Sequence, residues 1–553
     1  MSSLELAALS SLAALDPTAF RDVCAAVRHQ LRRAGQQQCA SVASSKSSGR
    51  LDIAAECFKS LWTALGSEKS KVLGDPSNVV LLVELWTELC SWIIEYLQSF
   101  IVEDSMTSDL QDSLAASKIL NLLHLLSENH RLLHLMTQSK DIISCLTEVS
   151  IHLLLSETQS PSQYVPTMQI IPTLSLSSER ANGGAPVDAK RILDSMAPAR
   201  VTKILFRIMH LTELPATSAS EISTIIRFLL YCSRCSSKFH ANHLIHGSVP
   251  WICRLFARVL KGSGAPLYHH QPAQSCAFYL RRCTDKGPRW AAQAVERRLL
   301  ELLLRELPHA SDDFTTAITG LFESIHVLLL FRGVLRYACQ SLRRIKRLDI
   351  ESHLVNASVS TRETWEAFKD AVEDRWRLRD VVASKGSFGE CTNAKCPNAV
   401  AELRLPVRRC QGCLSAFYCS RDCQKTSWPA HKNDCQRVQR ERREGFSPQV
   451  SRRDLHFIRF VATRDVHHSA DDVKAAIAKS NASANHDYYS VVVVNYTNVP
   501  RSITVELMGR EHPRADWPEL MEQEGPQAEQ LVRIIVPGDG GDGVEIFIAS
   551  MLQ

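Results

Sequence analysis

Seven cysteines and one histidine fall between Cys391 and Cys435 in four short pairs: Cys391/Cys396, Cys410/Cys413, Cys419/Cys423 and His431/Cys435. Eight soft or borderline ligands complete two tetrahedral shells with nothing left over. Zinc suits them, because it asks only for four ligands and favours thiolate and imidazole. Too few apolar residues lie between the ligands to form a core. The metal must therefore supply most of the local folding free energy, typically about 10–16 kcal/mol per structural site at neutral pH. His431 and Cys435 lie one helical turn apart and so face the same ion.

The residues between the ligands carry a family resemblance. The run Tyr418-Cys419-Ser420-Arg421-Asp422-Cys423-Gln424, followed by Trp428, His431-Lys432 and Cys435, resembles the MYND zinc finger. The resemblance implies interleaved ligands, with Cys391, Cys396, Cys419 and Cys423 on one zinc and Cys410, Cys413, His431 and Cys435 on the other. It implies that the finger binds short proline-containing peptides and is not catalytic. The groove positions it implies are Gln411, Gln424 and Trp428. The peptide would lie extended along the strand from Cys413 to Tyr418. Two features depart from the family: four residues separate the first ligand pair, and Gln411 stands where a serine is usual. A second reading stays open for Trp428, as a cover over the second zinc site.

Lys395, Arg404, Arg408, Arg409, Arg421, Lys425 and Lys432 outnumber Glu402, Asp422 and Asp434 here. Seven thiolates against two divalent zincs leave roughly three negative charges, which most of this basic excess neutralises. Beyond it, Arg437, Arg440, Arg442 and Arg443 alternate with Glu441 and Glu444 and read as the solvated end of a helix. No basic, aromatic-rich face stands out, so direct contact with nucleic acid is not expected.

The 553 residues, 45% hydrophobic and 22% charged, are ordinary for a soluble globular chain. Glu5 sits where the basic start of a secretory signal would be. Val79 to Val102 is strongly apolar but carries Glu84, Glu88 and Glu95, which reads as a core helix and not a membrane span. The remaining cysteines are scattered singly in apolar patterns, apart from Cys232 and Cys235. Scattered thiols beside a zinc site fit a reducing interior, nucleus or cytoplasm.

Residues 1–385 read as helical almost throughout. Val201, Ile204, Leu205, Ile208 and Leu211 form one buried stripe. Pro288 to Leu307 reads as a helix opened by proline. Ser311 caps the next helix, with its stripe of Phe314, Ile318, Leu321 and Ile325. Trp365, Phe368, Val372 and Trp376 mark the last amphipathic helix before the finger. Breaks are expected at Gly35 to Gly49, and at 158–186 with its Asn182-Gly183-Gly184 turn. Stacked pairs suggest a helical repeat of armadillo or HEAT type, with an irregular helical region as the alternative.

The finger takes 386–445. Residues 450–553 read as a small α+β domain: a helix over Ala470 to Asn481, strands at Tyr488 to Tyr496, Ser502 to Met508 and Val544 to Ile548, and a helix within Pro518 to Ile535. The fold class is thus mainly α, with a zinc finger and a small α+β tail. This order resembles that of uncharacterised MYND-domain proteins of mushroom-forming (basidiomycete) fungi.

Two further constellations have plainer readings. Cys232 and Cys235, with His240, His243 and His246, read as buried cysteines at a helix end, followed by histidines ahead of a new helix. His269-His270 reads as a solvated pair in a loop. Some MYND fingers are built into SET-domain lysine methyltransferases. Here Cys396-Pro397-Asn398 imitates part of the Asn-His-x-Cys-x-Pro-Asn stretch such enzymes share, but no Asn-His precedes it. Phosphate loops, nucleophile elbows and His-Glu-x-x-His helices are absent from the sequence. The expectation is a zinc-binding adaptor for proline-containing motifs, not an enzyme.

Overall fold

The computed structural model describes the chain apart from residues 1–2, 16–18, 41–46, 67–68, 104–109, 156–167, 172–186, 215–216, 262–269, 385–390, 394, 398–407, 414–415, 444–449, 483–487, 510–529, 539–542 and 551–553. Two compact units divide it, Met1–His243 and Leu244–Gln553. The architecture is mainly α, with the finger and a small sheet in the second unit.

In the first unit, Ser3–Leu15, Phe20–Ala40 and Ser47–Gly66 pack on one another, and the latter two also on Pro76–Glu103, the longest described helix at 28 residues. Leu82, Leu85, Leu89, Ile93 and Leu97 give that helix its buried face. The glutamates that interrupt its apolar run each meet an arginine: Glu84 with Arg28 at 3.5 Å, Glu88 with Arg32 at 2.7 Å and Glu95 with Arg50 at 3.4 Å. By length and composition alone, Pro76–Ser99 and Asp312–Leu330 could each cross a membrane. About half of each window is buried in protein, as in core helices. The Val201 stripe lies buried on Pro198–Glu213, as its period requires.

Three expectations need correction in the helical part. Helix Phe20–Ala40 runs through Gly35 and its three glutamines, which are good helix formers, so only 41–46 separates it from Ser47–Gly66. Within 158–186, residues 168–171 are helical, with Met168, Ile170 and Ile171 buried; the Asn182-Gly183-Gly184 turn lies outside the described residues. Pro288 to Leu307 is two helices, Pro288–Glu296 and Leu299–Glu306, split at Arg298 with φ 66°. On a straight helix the buried set Trp290, Ala291, Ala294, Val295 and the set Leu299, Leu300, Leu303, Leu304 would point to opposite sides. The left-handed residue turns the second set back to the core.

His270 begins helix His270–Thr284, and its neighbour His269 lies outside the described residues. His270–Thr284 packs on Asp312–Val327, and Pro288–Glu296 on Arg332–Arg347. Ser311 caps Asp312–Val327, its Oγ accepting from Phe314 N. Val359–Ser384 packs its Trp365 and Phe368, stacked at 5.6 Å, against Phe322 of that helix. The finger follows, with two short strands, β1 (Arg408–Arg409) and β2 (Phe417–Tyr418), and the helix Arg421–Arg443.

Past the finger, helix Arg452–His468 returns to the scaffold. Asp454 accepts from Arg332 N at 2.9 Å and so caps helix Arg332–Arg347, whose own N-cap position is Phe331, a residue without a capping atom. The sheet holds β3 (Tyr488–Asn495), β4 (Ser502–Gly509), β5 (Gln530–Pro537) and β6 (Gly543–Ser550) in the order β4-β3-β5-β6. β3 pairs antiparallel with β4 and parallel with β5, and β5 antiparallel with β6. Helix Ala470–Ala482 packs on β4 and β3. The helix expected within Pro518 to Ile535 is overturned from Gln530 onward. Val532, Ile534 and Val536 are buried with period 2, the pattern of a strand, and 510–529 lies outside the described residues.

Candidate metal centre

The finger is built on one short ladder and one helix. β1 pairs antiparallel with β2, and Cys410 N extends the ladder by donating to Ala416 O at 2.9 Å. The ladder reaches Cys410 at one end, and Cys419 follows Tyr418 at the other. Ser420 then starts helix Arg421–Arg443: its Oγ accepts from Cys423 N at 3.1 Å and its carbonyl from Gln424 N at 3.2 Å. That helix presents Cys423, His431 and Cys435.

The eight ligand residues meet in two groups, Cys391, Cys396, Cys419 and Cys423 in one and Cys410, Cys413, His431 and Cys435 in the other, with donor atoms within 4.8 Å in each. In the first, Cys396–Cys419 and Cys419–Cys423 sulfur separations are 3.5 Å and Cys423–Cys396 is 3.7 Å. In the second, the Cys410 and Cys435 sulfurs are 3.8 Å apart, and Cys413 Sγ lies 3.5 Å from His431 Nε2. A tetrahedron with zinc–sulfur bonds of about 2.3 Å and zinc–nitrogen bonds of about 2.0 Å has edges of about 3.8 Å between sulfurs and about 3.5 Å from sulfur to nitrogen. These spacings fit zinc shells and are far from the roughly 2.05 Å of a disulfide; none of the seven cysteines is in a disulfide. The chemistry of the donors and their spacing therefore fit two structural zinc ions, the first held by four thiolates and the second by three thiolates and an imidazole.

Among the described residues, little else holds the finger together. Besides the cysteines, its buried cluster contains Ala416, Tyr418 and Val438. Polar contacts orient the ligands instead. The long first knuckle is pinned by Thr392 N to Phe417 O at 2.7 Å, by Phe417 N to Thr392 Oγ1 at 2.9 Å and by Cys396 N to Asn393 O at 2.9 Å. Asn393 Oδ1 also accepts from Lys395 N at 3.1 Å. The Asn393 side chain bonded to Cys423 brings that thiol down to about 7, toward the thiolate a metal needs. Burial pushes the Cys391 and Cys435 thiols up, and a bound cation would reverse that. Burial also lowers His431, which favours the neutral, ligating imidazole.

Around the second site, Gln439 Nε2 donates to Cys435 Sγ at 3.2 Å. A Cβ at Gly412 would stand 2.5 Å from that Nε2 and 2.9 Å from the sulfur, so the knuckle closes there only with glycine. Gly412, Asn393 and Gln439 were not singled out from sequence. A glycine between paired cysteines was legible, whereas the two amides gave no signal of their own.

The three groove positions sit apart from the ligands. Gln411 is exposed at the second knuckle, and Gln424 is half-buried one turn before Trp428 on the helix. Trp428 is 40% exposed, with its ring edge-on to His431 at 5.9 Å. Buried Tyr418 approaches the same imidazole at 6.0 Å. The expected strand addition along β2 is corrected at Phe417, whose backbone N–H and carbonyl are both taken by Thr392.

Cys232 and Cys235 are buried in helix Ala219–Cys235. His240 and His243 are buried in the short helix Ser237–Ile245, and all three histidines come ahead of helix Ser248–Lys261. Among the described residues they form no metal cluster. Burial pushes the Cys24, Cys57, Cys145 and Cys253 thiols up to about 12, so they are inert core residues.

The family model described as MYND finger matches residues 391–435. The chain is also similar to the SET domain and MYND-type zinc finger protein 6 of Schizosaccharomyces pombe, 39% identical over 51 residues, which is 9% of this chain and 11% of that protein. That stretch covers only the finger. Residues 391–435 are therefore a MYND-type zinc finger, a zinc-binding module for protein partners.

Proposed function

We propose that this chain is an adaptor whose finger takes short proline-containing peptides, with Trp428 as the anchor and Gln424 and Gln411 as polar partners. The observation that carries the reading is the Trp428 ring, 40% exposed and backed edge-on by the ligand His431. An exposed indole on a rigid support suits a proline ring, and Gln424 one turn away can bond a peptide carbonyl. Side chains carry this contact, since the backbone of Phe417 is already engaged. Such a small surface supports a dissociation constant of roughly 1–100 μM.

We read the chain as non-catalytic. Four protein ligands at each zinc leave no position for water or substrate. The similarity to a SET-domain protein lies in the finger, so it does not favour methyl transfer. Buried cysteines without disulfides beside zinc thiolates support an intracellular setting, nucleus or cytoplasm. The test is a display of proteome-derived peptides on the full chain, with zinc-depleted protein as control. Enrichment of proline-containing sequences that vanishes without zinc supports the reading. Enrichment without proline, or saturable binding of S-adenosylmethionine by calorimetry, contradicts it.

A further inference from the structure

Helix Arg332–Arg347 carries Arg332, Arg336, Arg343, Arg344, Lys346 and Arg347 and no acidic residue. Its buried side is Val334, Leu335, Ala338, Cys339, Ser341 and Ile345. At about 100° per residue, Arg336, Gln340, Arg343 and Arg347 fall on the opposite side, within about 60° of one another. They make a stripe about 16 Å long. Pairing explains some of the neighbouring charge: Arg344 is bonded to the buried Glu301 at 2.6 Å. The helix dipole favours Lys346 and Arg347 in the last turn. Neither explanation reaches Arg336 and Arg343. Among the described residues, Arg336, Arg343 and Arg347 have no carboxylate within salt-bridge distance.

The stripe is stiffened by aromatic rings. The Arg343 guanidinium lies 5.5 Å from the centre of the Trp376 ring, and Arg379 lies 3.3 Å from it. Arg336 sits 5.9 Å from the Tyr337 ring. Arginines held against rings keep a defined orientation and lose less freedom when they bind an oxyanion.

We propose that this stripe docks an acidic segment of a partner protein, independently of what the finger binds. Exposed arginines that no carboxylate holds in an ion pair, kept in place by rings, fit carboxylates by complementarity. A single-stranded nucleic acid fits less well, because sequence-tolerant binding of strands uses aromatic faces as stacking platforms. Here Arg343 and Arg379 approach the Trp376 ring and Arg336 the Tyr337 ring.

The test uses the full chain and two labelled probes: an Asp/Glu-rich peptide of about ten residues, long enough to span the stripe, and a single-stranded RNA of similar length. The acidic peptide should bind, and its affinity should fall as salt rises from about 50 to 300 mM. Arg336→Glu/Arg347→Glu should weaken it by about tenfold or more, and the charge-matched pair Arg227→Glu/Lys474→Glu by less than about twofold. If the first pair lowers helical circular dichroism, Arg336→Gln/Arg347→Gln carries the comparison. Absence of peptide binding, equal loss in the control pair, or tighter binding of the RNA than of the peptide overturns the proposal.

Discussion

Asp374 and Arg464, ninety residues apart, meet through two hydrogen bonds of 2.7 Å each. One lies on the helix before the finger and the other on the helix after it. Arg464 also bonds Asp465, which is buried and takes Tyr496 Oη at 2.8 Å and Arg501 Nε at 3.0 Å. The finger is thus a closed excursion from a clasp that owes nothing to zinc.

Cys413→Ser should therefore unfold the finger and leave the helices in place. The far-ultraviolet circular dichroism and the main thermal transition should stay close to wild type while bound zinc falls. A collapse of the whole second unit would show that finger and scaffold fold as one.

Asp374→Asn should act the other way, lowering the transition temperature by a few degrees while both zincs stay bound. A part-exposed charged bond of this kind contributes on the order of 1 kcal/mol. The Arg464 guanidinium bonded to Asp374 holds its carboxyl below the usual carboxylate range. The folded state thus favours the charged form, and the contribution is present above the unfolded value and lost as pH falls through the folded one. Equal stability of variant and wild type at neutral pH would remove the clasp from the account.

Gly412→Ala should loosen the second zinc and spare the first. Gln439 can swing aside, but Cys435 cannot move from the added methyl without leaving its shell. A mild chelator should strip this variant to one zinc under conditions where wild type keeps two. Retention of both would show that the knuckle has room.

His326 gives the second unit a pH dependence. Its burial lowers the imidazole to about 4, against an ordinary value near 6.5. The folded state resists protonation, so stability is intact above about pH 6.5 and declines as pH falls toward 4. The loss reaches on the order of 3 kcal/mol by about pH 4. Denaturation of His326→Gln, which cannot charge, should show a flatter profile across that window; parallel profiles would exclude the effect.

What was legible followed from where the chemistry is local. Zinc dictates residue types and short spacings, so all eight ligands could be read from the sequence, and the resemblance carried their interleaving. The Val201 stripe and the Ser311 cap are equally local. The split at Arg298 was legible in principle, since the two apolar sets point to opposite sides of a straight helix, but reading one long periodic run hid it. The clasp was not legible, because nothing near Asp374 names a partner ninety residues on. Nor was the engagement of Phe417 by Thr392, which removes the expected strand edge.

The most direct test measures zinc content and peptide affinity on one preparation of Trp428→Ala, with a proline-containing peptide selected on wild type. The prediction is two zincs per chain and an affinity weakened by about 2 kcal/mol, roughly thirtyfold. Wild-type affinity would contradict the groove. Loss of zinc would instead make Trp428 a cover over the second site.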